Sequence, residues 1–242
     1  MVRSVDNNPG QEGVLYICGT PIGNLDDVSF RLVEVLNQVD LIVCEDTRRT
    51  RKLLARYDIK KPLLAFYEHV EQQRTETVLQ EMSRGKSVAL VSDAGMPLIS
   101  DPGAHLVQQA RENGFSIAVV PGPSAVTAAL ALVGFCSSQF IFAGFPPRKS
   151  RKRQEFLREW IKPRVPVVFF ESPYRLVKTL DDLREVFPSV QVGLCHEMTK
   201  AYESVIVGPV SDICEKLDGM AIKGEWVVVA YLESPENQEE TG

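Results

Sequence analysis

Residues 91–103 read VSDAGMPLISDPG, an apolar run that stops at two aspartate-containing turns. Asp93 closes the run, where a carboxylate can accept hydrogen bonds from a ribose or an amine, and Gly95 lets backbone approach such a group closely. A turn or N-cap aspartate accounts for the same pattern, so both roles stand for Asp93. Asp101, just before Pro102, reads instead as a cap for a helix starting at Ala104.

Three other apolar runs end in comparable stretches. GTPIGNLDD (residues 19–27) has Gly19 and Gly23 but not the G-x-G-x-x-G order, so a nicotinamide or flavin dinucleotide fingerprint is absent. CEDTRRT (residues 44–50) places Glu45 and Asp46 directly before Arg48 and Arg49, with Arg51 next. In PGPSA (residues 121–125), Ser124 and Ala125 open a helix of small apolar residues, so the serine hydroxyl and the free N–H groups can cap that helix or hold a ligand. RRTRK (residues 48–52) and RKSRKR (residues 148–153) stand out against a net charge of −5, which disfavours a global phosphate-binding field but leaves room for a local one. Solvated loop and helix faces are the plain alternative for both.

The elements that must position these residues are legible as alternating runs. GVLYIC, DLIVCE, PLLAF, SVALVSD and SIAVVP each precede a helical pattern, which predicts βαβ units and a mostly parallel sheet. In open sheets of this kind ligands bind beyond the carboxyl ends of the strands, where the four stretches above fall. After Gly134 the order changes to FIFAGF, a basic helix near Lys149 to Trp160, PVVFFES, a helix near Tyr174 to Val186, then QVGLCHE, ESVIVGP and GEWVVVAYLE. Adjacent strand candidates without a helix between them predict an antiparallel or mixed sheet. The expectation is two α/β domains, residues 13–122 and 123–234, with flexible tails at 1–12 and 235–242.

Composition agrees with a soluble globular chain: 242 residues, 44% hydrophobic and 24% charged. The five cysteines are scattered without a C-x-x-C pair, so neither a disulfide framework nor a metal site is expected. The N-terminus lacks the basic-then-apolar order of a signal peptide and no apolar stretch approaches membrane-spanning length, so a cytoplasmic protein is expected.

Taken in order, TPIGNL, EDTRRT, SDAGMPLISDPG, PGPSA, the stretch ending GFPPRK, FFESPYR, HEMTK with Glu203, and KGEWVVV resemble the ribosomal RNA small subunit methyltransferase I family, within the tetrapyrrole methylase superfamily. Eight blocks in order, from about Gly13 to Glu233, are a specific signal where no single one is. The resemblance implies a two-domain class III methyltransferase, a homodimer, that binds S-adenosylmethionine in the cleft between its domains and methylates the 2′-oxygen of a cytidine ribose in the decoding region of 16S ribosomal RNA. It places cofactor contacts at Pro21, Ile22, Gly23, Asn24, Asp93, Gly95, Met96, Ser124 and Ala125. From the second domain it adds Glu171, Ser172, Thr199, Lys200, Gly224 and Glu225.

A ribose hydroxyl is a poor nucleophile at neutral pH and benefits from a base. Glu45, Asp46, Asp93, Glu171 and Glu197 are candidates, with Asp46 placed first. Arg48, Arg49, Arg51, Arg148, Lys149 and Arg151 are the candidate phosphate contacts. Tyr174 and Arg175 can stack on a base or pack at an interface. Two positions depart from the family pattern: Met96 stands where threonine is usual, and Cys18-Gly19 where Val-Pro is common. The first removes a hydroxyl, so altered cofactor binding is expected there. Many family members extend past this point with a small helical region, whereas this chain stops near Glu233 to Gly242. Two alternatives remain: carbon methylation of a tetrapyrrole, which needs a broad apolar cleft and no basic clusters, and a non-catalytic cofactor-binding or ribosome-associated protein.

Overall fold

The computed structural model describes residues 13–135 and 137–233; both expected tails, and Cys136, lie outside the described residues. The chain divides into two compact units, the first ending at Ser124 and the second beginning at Ala125.

In the first unit, five strands, β1 (Val14–Cys18), β2 (Leu41–Cys44), β3 (Leu63–Ala65), β4 (Val88–Val91) and β5 (Ser116–Val120), form one sheet in the order β3-β2-β4-β1-β5, with every pairing parallel. Strand alternation assigns the two faces. Ile42, Cys44, Ala89 and Val91 pack with Leu32, Leu36 and Leu54 of α1 (Phe30–Gln38) and α2 (Thr47–Arg56). Val43, Val88 and Leu90 pack with Val78, Met82 and Leu106 of α3 (Glu71–Ser83) and α4 (Ala104–Glu112). Helices on both faces explain why β4, at the centre, is buried at all four positions and reads as an unbroken apolar run.

The second unit opens with α5 (Ala125–Val133) and orders its strands β6-β7-β10-β8-β9: β6 (Ile141–Phe142), β7 (Val167–Glu171), β8 (Gln191–His196), β9 (Ser204–Pro209) and β10 (Trp226–Tyr231). Only β6 and β7 are parallel, and β8 and β9 pair antiparallel, so the sheet is mixed as expected. Leucines of α6 (Ser150–Trp160), α7 (Leu176–Val186) and α8 (Val210–Leu217) cover one face, against Phe169, Leu194 and Val228. Sequence patterning did not single out α8, whose eight residues follow directly on Pro209 at the end of β9.

On the other face α5 lies so close that a Cβ on Gly193 of β8 would fall 2.2 Å from a Val133 methyl. Gly193→Ala is therefore expected to lower stability by about 1–3 kcal/mol through overpacking. Combining it with Val133→Ala should recover part of that loss in urea denaturation; equal losses in the single and double variants would contradict the packing account.

Candidate functional site

In the first unit the connections leave β2 and β4 in opposite senses, β2 to the outer strand β3 and β4 across β1 to β5. Neighbouring strands with diverging connections make a crevice at their carboxyl ends, the usual ligand position in such sheets. The loops after β1, β2, β4 and β5 meet there. Thr20 and Gly95 exchange backbone hydrogen bonds of 2.9 and 3.1 Å, and the Gly19 N–H donates to the Val120 carbonyl at 2.9 Å. A Cβ on Gly19 would lie 2.7 Å from the Gly122 backbone and 2.6 Å from the Met96 sulfur, so these loops touch backbone to backbone with the thioether laid over them. Gly95 sits at φ +80°, a conformation suited to glycine. Pro21 and Ile22 are buried and Gly23 and Asn24 exposed; the Asn24 side chain accepts from the Asp26 N–H at 3.0 Å and closes the turn. Ser124 and Ala125 are half-buried at the start of α5.

The acidic residues of these loops differ sharply in environment. Asp46 caps α2, accepting from the Arg48 N–H at 2.8 Å and from the Arg48 guanidinium at 2.7 and 3.0 Å. Hydrogen bonds from Arg48 hold its carboxyl well below the usual carboxylate range. A carboxylate so held is a weak base, so this geometry gives no support to Asp46 as first choice for proton acceptor. Asp93 accepts from the Asp46 N–H at 3.0 Å, which ties the loops after β2 and β4 together, and faces the Arg49 guanidinium at 3.5 Å. Burial, then the Asp93 charge, pushes Glu45 up. Burial, then Glu45, pushes Asp101 up to about 6, with a hydrogen bond from Ser92 opposing. Asp101 is not the expected helix cap. Glu71, from the start of α3, accepts from the N–H groups of Gly103 and His105 at 3.1 Å and caps α4 instead.

In the second unit Glu171 ends β7 with its side chain fully buried. It accepts from the Ser172 N–H and the Thr179 hydroxyl, each at 2.7 Å, and pairs with Arg175 at 2.6 Å. Arg175 also donates to the Pro146 carbonyl at 3.0 Å, so its guanidinium is turned inward, whereas Tyr174 is 90% exposed. The segment after β8 is strained, with Glu197 at φ +47° and Thr199 at φ +64°. Lys200 joins Glu197 at 3.0 Å to Glu225 at 2.9 Å, and the Glu225 N–H donates to Glu197 at 2.8 Å. Against the cost of burial, the Glu225 N–H and Lys200 hold Glu197 below its ordinary value. Gly224, at φ +76°, leaves no room for a Cβ beside His196 and Glu197.

Among the basic residues, Arg48, Arg49, Arg51, Arg148, Lys149 and Arg151 are exposed. Arg153, in the same basic run, is 3% exposed, with its Nε donating to Asp182 at 2.6 Å. It belongs to the core of the second unit rather than to a basic surface. Sequence reading missed this pair, since nothing in RKSRKR marks one arginine as buried. The described cysteines are free thiols, and burial pushes Cys18 and Cys195 up to about 12. Among the described residues no helix is long and apolar enough to cross a membrane. Because Glu171 is buried with a hydrogen-bonded cation, Glu171→Ala, which strands Arg175, is expected to cost about 3 kcal/mol in denaturant unfolding. A change below about 1 kcal/mol would show the pair to be dispensable.

The sequence profile of the Tetrapyrrole (Corrin/Porphyrin) Methylases matches residues 14–214. The chain is 46% identical over 217 residues to the ribosomal RNA small subunit methyltransferase I of Thermotoga maritima, covering 90% of this chain and 97% of that protein. It is 43% identical over 242 residues to the protein of that name from Escherichia coli O157:H7, covering 98% and 82%. Two solved structures share the fold. They are the Thermus thermophilus uroporphyrin-III C-methyltransferase complexed with S-adenosylhomocysteine (TM-score 0.64, 14% identity, 90% and 97% covered) and the cobalt precorrin-4 methyltransferase CbiF (TM-score 0.64, 19% identity, 90% and 94% covered). With a parallel sheet whose carboxyl-end loops are stitched together at glycines, a second mixed α/β unit, and this degree of identity, the chain belongs to the tetrapyrrole methylases and, within them, to the ribosomal RNA small subunit methyltransferase I family.

Proposed function

We propose that this protein transfers a methyl group from S-adenosylmethionine to small-subunit ribosomal RNA, and that the acceptor is the 2′-hydroxyl of a cytidine ribose in the decoding region of 16S ribosomal RNA. The observation that carries the reading is the meeting of the loops after β1, β4 and β5: at Gly19 and Gly122 bare backbone is all that fits, and Gly95 turns at φ +80° against Thr20. Loops packed this closely fix the walls of the crevice at the carboxyl ends of the strands, where ligands bind in sheets of this kind. S-adenosylmethionine, when bound, supplies a methyl on a positively charged sulfur that is electrophilic without further activation.

The Pro21–Asn24 turn, Asp93, Gly95, Met96 and the Ser124–Ala125 helix start would hold it from the first unit. In the second unit Ser172, Thr199, Lys200 and Gly224–Glu225 would contribute, while Glu171 fixes the segment around Ser172 from beneath. Asp93 keeps the loops after β2 and β4 in register through the Asp46 N–H. What remains for the protein is to align the acceptor oxygen, exclude water and receive its proton. The names of the relatives support a ribosomal RNA acceptor over a tetrapyrrole.

Exposed cations support a nucleic-acid substrate. Arg48 and Arg49 occupy the first turn of α2, and Arg151 and Lys152 that of α6, where the helix dipole disfavours positive charge. The dipole does not favour them there, and although Arg48, Arg49 and Arg151 also pair with Asp46, Asp93 and Glu155, their exposure leaves them open to phosphate contact. Arg51, Lys60 and Lys61 border a hollow of about 510 Å³ beside α2. A homodimer acting in the cytoplasm on the small ribosomal subunit completes the proposal.

The direct test is transfer of labelled methyl to small subunits lacking the modification, with mapping of the labelled nucleotide. Label on a decoding-region cytidine ribose is expected; label on another acceptor, or none, would contradict the proposal. Lys149→Glu with Arg151→Glu should weaken subunit binding and flatten its log–log salt dependence by about 1 to 2. An unchanged slope would return this stretch to the role of a solvated face.

A further inference from the structure

Strands β6 and β7 run parallel, so their carboxyl ends open on the same edge of the second sheet, and the chain leaves both strands there. The segment after β6, GFPPRK (residues 144–149), is gripped at one carbonyl after another. The Phe170 N–H donates to the Gly144 carbonyl at 2.9 Å, Arg175 donates to that of Pro146 at 3.0 Å, and Arg153 to that of Arg148 at 3.0 Å. Both guanidiniums are themselves held, Arg175 by Glu171 at 2.6 Å and Arg153, through its Nε, by Asp182 at 2.6 Å. Pro146 is buried, and two consecutive prolines leave the turn little backbone freedom.

This firmly held loop displays aromatic rings among cations. Phe145 is 55% exposed and Tyr174 90%, and each is the chain neighbour of a residue in the Arg175–Pro146 bond. The rings of Phe145 and Phe170 cross at 62° with centroids 5.5 Å apart, and Phe142 backs Phe170 at 5.0 Å, so the exposed ring is braced from within. Around them Arg148, Lys149, Arg151, Lys152 and Lys178 are exposed. Residues 144–154 contain no carboxylate, and the two carboxylates that hold the loop's anchors, Glu171 and Asp182, are buried in their pairs.

An aromatic face stacks on a nucleobase of any sequence, while cations beside it take the flanking phosphates. A paired base in an A-form helix hides its faces, so a surface of this kind selects unpaired RNA. A second copy of the chain fits less well, because a two-fold contact centred here would set Arg148 and Lys149 against their own counterparts. Resting on the RNA-methylation reading above, we propose that Phe145 and Tyr174 form a stacking platform for unpaired bases of the substrate RNA, with Arg148 and Lys149 on the adjoining phosphates. The acceptable substrate is then a strand opened around the target ribose, not an intact duplex. Arg175 braces the platform from beneath, joined also to the Ser172 hydroxyl at 3.3 Å.

The test uses the full-length protein and a fluorescein-labelled RNA of about ten nucleotides and mixed sequence, either unpaired or annealed to its complement, with affinity read by anisotropy. Wild type should bind the unpaired strand at least about fivefold more tightly than the duplex. Phe145→Leu and Tyr174→Leu should each weaken binding of the unpaired strand about tenfold, whereas Phe145→Tyr and Tyr174→Phe, which keep a ring, should stay within about threefold. Because no charge is lost, the log–log salt dependence of the leucine variants should match wild type. Their Tm and S-adenosylhomocysteine affinity should match it too. The platform is overturned by a wild type with no preference for the unpaired strand, by leucine variants that bind as wild type, or by ring-keeping variants as weak as the leucine ones. Leucine variants that sediment as monomers where wild type is a dimer would also overturn it, and would give this face to a second copy. A wild type that binds unpaired RNA through these rings yet transfers no methyl to ribosomal RNA would overturn the methyl-transfer reading and leave the platform standing.

Discussion

Everything in the first unit depends on β4 lying between β2 and β1 with both faces covered. Its four residues have no solvent face, so the chain can turn polar only where the strand stops, at Ser92. That stop places Ser92 to Met96 beside the ends of both neighbouring strands at once. The Thr20–Gly95 bridge and the Asp93 bond to the Asp46 N–H follow from this adjacency, not from any affinity local in sequence. Backbone groups that would otherwise be orphaned in a crowded place are satisfied by one another, Gly19 and Gly122 are there because no side chain fits, and Gly95 because its φ is +80°.

Much of this was legible in the sequence. Parallel strands covered on both faces read as unbroken apolar runs, and each run ended in the residues that gather at the sheet edge. The mixed second sheet followed from two strand patterns with no helix between them. What escaped was short or long-range. Helix α8 has eight residues, too few for periodicity to declare itself.

Partner choice escaped as well, because it is a property of three dimensions. Glu71 caps a helix 32 residues downstream, in place of Asp101, the apparent cap. Arg153 pairs with Asp182 across 29 residues, and its basic neighbours disguise it. Arg175 stands four residues after Glu171, a spacing that could have suggested a pair had the two not straddled a strand–helix junction. Asp46 reads from its position as the natural base beside a cleft, but the Arg48 two residues on, invisible as a partner in EDTRRT, hydrogen-bonds it and holds its carboxyl low.

The central claim is that a methyl donor is held by the carboxyl-end loops of the first unit. Backbone amide resonances followed during titration with S-adenosylhomocysteine test it most directly. Shifts concentrated at residues 19–24, 93–96 and 122–125 are the predicted result. Shifts confined elsewhere, for example around Arg51, Lys60 and Lys61 beside α2, with these loops silent, would contradict it.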